Sequence, residues 1–152
     1  MKEFLKDYQQ KGFIKNEDIG FDQVERQLNR SRKEVKVAEA NLVIDSIVAY
    51  SCAYQAMLHA GRGLMFSYGY RPCDGEQHKT VVLFCENILG KDFAELVRKF
   101  DRMRKKRNQF TYDEPDILVS DTEAKNALES ALEFVKKISG FIEEKNPQKK
   151  LM

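Results

Sequence analysis

The chain contains no tryptophan and only three prolines and eight glycines in 152 residues. So few breakers exclude a fold of many short strands and turns, and long helices are the natural reading. Paired cysteines are also missing. Cys52, Cys73 and Cys85 are odd in number, and no two have the close spacing of a zinc site. Nothing suggests secretion, so reduced thiols in a cytoplasm are expected, two of them packed inside helices. The N-terminus, MKEFLKDYQQKG, is amphipathic and charged, unlike a signal peptide or a membrane span. A strong net charge is lacking too, since 26 basic residues face 24 acidic ones. Bulk charge therefore cannot hold a nucleic acid, and any phosphate binding must come from a local patch. No glycine-rich phosphate loop, HExxH helix, or Ser/His/Asp or Cys/His constellation is present. No metal and no cofactor is called for.

What is present is the composition of a soluble globular protein, 42% hydrophobic and one-third charged, at a length that suits one domain. A short helix is expected over Lys2–Gln10, stopped near Gly12. The next runs from Phe21 to Leu42. Its apolar positions are Phe21, Val24, Leu28, Val35, Ala38 and Leu42, with Ser31 filling the gap, which is one narrow stripe. The segment Ser46–Tyr68 is small or apolar on nearly every face and belongs at the centre of a bundle. Its Ala53, Ala56, Ala60, Gly61 and Gly63 permit close approach, Gly69 caps it, and Pro72 prevents its resumption. A loop over Tyr70–Gly75 leads to a helix over Gln77–Leu89, ended by Gly90. Asp92 and Glu95 have the spacing of a capping box for another helix, and Ser120 and Glu123 repeat it for the last. The reading is an all-α, up-and-down bundle of five to six helices in one domain over residues 1–146, with a disordered tail over 147–152. No repeat or linker divides it.

The informative anomaly lies in the helix expected from Asp92. Its apolar positions Phe93, Leu96, Val97, Phe100 and Met103 lead by helical steps to Arg104, Arg107 and Phe110. Arg98, Arg102, Lys105 and Lys106 fall on the outer face, where a charge run is ordinarily just solvated. Guanidiniums that continue a buried stripe must be paired or must line a cleft. Two readings follow. Arg104 and Arg107 bind loop carbonyls or nearby carboxylates such as Asp113 and Glu114, or they offer bidentate contacts to phosphate. Asn108 either caps the helix or binds a ligand. His59, in a crowded apolar segment, reads as a hydrogen-bonded core histidine. His78, at a helix start, either approaches the arginines or steadies the loop.

At this point the run CAYQAMLHAGRGLMFSYGYRP, then HKTVVLF, then DRMRKKRNQFTYD, resembles the HEPN family of small helical proteins. The similarity extends from about Phe21 to Ile142. It implies a four- or five-helix bundle that commonly dimerises. Many such domains are metal-independent ribonucleases of toxin–antitoxin, abortive-infection or CRISPR-associated systems, and others bind RNA or nucleotides without cutting. The family's ribonuclease motif is an arginine, usually followed by a polar residue, then a histidine. Arg107 and Asn108 match its first half, and Tyr112 stands at the histidine position. Cleavage through a ribose 2′-hydroxyl needs proton transfer near neutral pH, for which a phenol of ordinary pKa near 10 is a poor base.

Three functional readings remain. In the leading one a homodimer binds RNA, a nucleotide or a partner protein, within a toxin–antitoxin or phage-defence system. Arg104, Arg107 and Asn108 contact phosphate, Tyr112 stacks or hydrogen-bonds, and His78 assists. The second is a ribonuclease toxin, with Arg107 and Tyr112 as catalytic candidates and a nucleotidyltransferase as its partner. The third is an interaction module that uses the Phe21–Leu42 stripe. None involves a membrane.

Overall fold

The structure, a computed structural model, describes residues 2–75 and 77–146. It is an all-helical bundle with one small antiparallel ribbon. Helix α1 covers Lys2–Gln10, and Gly12 turns the chain out of it at φ +76°, a conformation that favours glycine. Strand β1 is Ile14–Asn16, α2 is Phe21–Asn41 and α3 is Ser46–Ser67. Strand β2 is Tyr70–Pro72 and α4 is Gln77–Leu89. A 3₁₀ turn, Lys91–Phe93, precedes α5, Ala94–Asn108. A π-helical turn, Gln109–Asp113, follows it, and α6 spans Asp121–Lys145. The tail expected to be disordered, residues 147–152, lies outside the described residues.

Helix α3 is the hub. Tyr54, Met57, Leu58, Leu64 and Met65 are fully buried, and α2, α4, α5 and α6 all pack on it. The glycines in this helix have a steric cause. A Cβ on Gly61 would meet Val81 Cγ1 at 2.6 Å and Cys85 Sγ at 3.2 Å, so only glycine lets α4 come this close. The narrow stripe of α2 is consumed in the same way. Val24, Leu28, Ser31, Val35 and Ala38 are buried, and Ser31 donates to the Ala56 carbonyl at 2.7 Å. That stripe is therefore not a free docking face, and the interaction-module reading loses its proposed surface. His59 also serves this seam, with its Nδ1 2.6 Å from the Glu34 carboxylate, as expected of a hydrogen-bonded core histidine.

Two local expectations are corrected. The segment Tyr70–Gly75 is not all loop, because Tyr70–Pro72 pairs with Ile14–Asn16 in register Ile14↔Pro72, Lys15↔Arg71, Asn16↔Tyr70. Strands of three residues are too short to show alternation, and Pro72 sits at the ladder's end, where its missing N–H costs nothing. Asp92 does not cap a helix. Gly90, at φ +73°, feeds the 3₁₀ turn, α5 starts at Ala94 without a side-chain cap, and the Glu95 carboxylate accepts from Arg98 at 2.8 Å. The Ser120–Glu123 capping box is present in both directions.

Candidate functional site

Helix α5 buries Leu96, Val97, Phe100 and Met103 in the bundle. Its next inward steps are Arg104 and Arg107, both partly buried, while Arg98, Arg102 and Lys105 stay exposed. Lys106 departs from the outer-face reading: it is half-buried and paired with Glu123 at the start of α6. Arg104 has found a carboxylate, but it is Asp101, one turn back, at 3.0 Å rather than Asp113 or Glu114. Arg107 has not. No carboxylate among the described residues lies within ion-pair distance of it. Its guanidinium instead lies 5.9 Å from the Tyr54 ring centre and 5.7 Å from that of Tyr112, within cation–π range.

The π-helical turn produces that second contact. Glu114 N–H bonds to the Gln109 carbonyl at 2.7 Å, five residues back, so the chain turns more widely than an α-helix. Phe110 is thereby held in the core, edge-on to Tyr50, while Tyr112, 71% exposed, lies near Arg107. Asn108 does not end the helix, because the helical backbone runs through it into this turn.

The start of α4 closes the other wall. The Tyr54 hydroxyl and His78 Nδ1 are 3.0 Å apart. Burial, with the charges of Arg107, Arg62 and Arg104 behind it, holds the His78 imidazole down to about 4. Burial also pushes the Tyr54 phenol well above its ordinary value, against the opposing pull of the arginines. At neutral pH both groups are uncharged. Among the described residues the phenol has no other acceptor for its proton, so Tyr54 donates to Nδ1 and His78 carries its own proton on Nε2. A histidine in this state offers an N–H donor.

His78, Arg104, Arg107, Asn108 and Tyr112 thus line one cleft of about 520 Å³, with Asp74, Gln77 and Lys79 completing it. Among the described residues Arg104, Arg107 and Lys79 face a single lining carboxylate, Asp74, whose oxygens accept from the Thr80 hydroxyl at 2.9 and 3.0 Å. A cleft of similar size between α5 and α6 pits Lys99 and Arg102 against Glu123, Glu129 and Glu133, a poor environment for an anion. The sequence reading missed Tyr54, Arg62 and Lys79. Arg62 carried a signal, being the one charged side chain between Ser46 and Ser67.

The HEPN domain family model matches residues 24–145, which is α2 through the end of α6. The chain belongs to the HEPN family. A comparison with curated proteins finds no match. Membership carries a general nucleotide-, RNA- or protein-interaction role, and HEPN domains commonly dimerise. Within this HEPN domain, the Arg107-Asn108 pair and Tyr112 sit where α5 passes into the π-helical turn. No helix among the described residues is long and apolar enough to cross a membrane.

Proposed function

We propose that this HEPN domain binds phosphate groups of RNA or a nucleotide in the Arg104–Arg107 cleft, as a homodimer in the cytoplasm. The observation that carries the reading is Arg107, a partly buried guanidinium with aromatic rings near it and, among the described residues, no carboxylate at ion-pair distance. Such a group favours a ligand anion, and its planar fork suits phosphate oxygens. Arg104, although paired to Asp101, adds charge. Asn108 and the Nε2–H of His78 supply neutral donors, and the exposed Tyr112 ring is a stacking surface for a base. A place in a toxin–antitoxin or phage-defence system, with a nucleotidyltransferase partner, belongs to the same proposal.

The test is binding of a fluorescent oligoribonucleotide at low and moderate salt. Charge-assisted contacts to one guanidinium contribute about 1.5–3 kcal/mol, so Arg107→Ala should weaken binding about 10- to 100-fold. Affinity unchanged by that substitution sinks the site.

A second reading, metal-independent RNA cleavage, is favoured by one observation: an imidazole shares the cleft with Arg107 despite the tyrosine at position 112. A base titrating near 4 has the right protonation state at neutral pH but little driving force, since catalytic bases work best near the operating pH. Binding is therefore the better supported role. Cleavage of RNA in EDTA that disappears in His78→Gln would reverse this ranking.

A further inference from the structure

Among the described residues, two buried side-chain polar atoms have no hydrogen-bond partner: Arg62 Nε and Gln27 Oε1. Gln27 lies on the α2 side of α3, its Cβ 3.5 Å from where a Cβ on Gly63 would sit, whereas Arg62 reaches toward α4. An unbonded guanidinium N–H in a buried position is costly, and because Nε is sealed from solvent a ligand meets this group at its outer Nη2 end. Among the described residues Arg62 makes no ion pair. Its Nη2 reaches Gln77 Oε1 at 3.4 Å, a long and weak contact. Gln77 lines the Arg104–Arg107 cleft beside His78, and the charge of Arg62 is felt at both His78 and Tyr54. On α3, Arg62 follows Tyr54 by a little over two turns, about 12 Å along the axis and about 80° round it. Arg62 thus stands next to the cleft, on the far side of Gln77 from the arginines of α5, rather than among the residues that line it.

We propose that Arg62, beside Gln77, is a second phosphate subsite, so that the cleft takes linked nucleotides of a single RNA strand rather than a mononucleotide. The inference rests on the Arg104–Arg107 cleft being a phosphate site. A phosphate bound between Arg104 and Arg107 is the first contact. The sugar-phosphate chain then runs past His78 and Gln77, and a later phosphate accepts from Arg62.

The experiment compares 5′-AMP with a penta-adenylate ribonucleotide on the full chain, using wild type, Arg62→Met, Arg62→Lys and Arg107→Ala. Circular dichroism and melting confirm that each variant is folded. Arg62→Met should weaken the pentanucleotide about tenfold while leaving 5′-AMP unchanged. The slope of log K against log salt should flatten by about 0.7, the value for one lost phosphate contact on a single strand. Arg62→Lys keeps the stem and the charge but not the planar fork, and should lose an intermediate amount. Arg107→Ala should weaken both ligands. Pentanucleotide binding that is indifferent to both Arg62 variants, with Arg107→Ala still damaging, overturns the second subsite and leaves the first standing. Equal weakening of both ligands by Arg62→Met overturns it as well. If wild type binds neither ligand, or Arg107→Ala changes nothing, the cleft reading fails and takes this inference with it.

Discussion

Lowering the pH from 7 to 4.5 should destabilise this protein through one imidazole. His78 titrates at about 4 in the folded protein, held down by burial and then by Arg107, Arg62 and Arg104. In the unfolded chain it returns to an ordinary value near 6.5. Below pH 6.5 the unfolded state therefore binds a proton that the folded state refuses. The contribution is intact above 6.5, is lost progressively as pH falls toward 4, and changes no further below that. At pH 4.5 nearly two pH units separate the two states, which for a fully buried group amounts to about 2.5 kcal/mol. The His78 ring is only half-buried, and solvent screening reduces the expected loss to about 1 kcal/mol. Urea unfolding at pH 7 and 4.5 measures it, with His78→Gln as the reference, because every other ionisable group is the same in both proteins. Wild type should lose about 1 kcal/mol more than the variant over this interval. Parallel losses in the two proteins would refute the assignment of a neutral, arginine-shadowed His78.

Other substitutions test the frame that holds the cleft. Gly61→Ala places a methyl 2.6 Å from Val81 Cγ1 and should cost about 1–3 kcal/mol by overpacking, read as a lower urea midpoint; stability equal to wild type would mean that α4 is not seated as described. Ser120→Ala removes one half of the α6 capping box and should cost about 1 kcal/mol, while Arg107-dependent binding stays intact.

Much of the fold was legible because helices announce themselves locally. The stripes of α2 and α6 repeat at helical spacing, and the apolar α3 could only be a central element. The ribbon was not legible. Two three-residue strands 53 residues apart share no local pattern, and their pairing exists only once α2 and α3 have folded. At the site, Arg104 and Arg107 were legible as interruptions of a buried stripe. Their different fates were not, because Asp101 lies on the same helix as both and only side-chain placement lets Arg104 take it. The contact of Tyr112 with Arg107 was also hidden, since a regular α-helix would have placed it differently and the π-helical turn has no sequence signature of its own.

The sequence alone determined the helical class, the identity of the central helix, the family resemblance, and the segment where guanidiniums run inward. Each follows from order and periodicity along the chain. Only the tertiary structure decided that His78 joins the arginines, that Tyr54 orients it, that Arg62 lies beside them, and that the stripe of α2 is consumed internally. These depend on side chains from α3, α4 and α5 meeting across the bundle. Distances of that kind, and the burial that holds an imidazole neutral, arise only when separate helices pack.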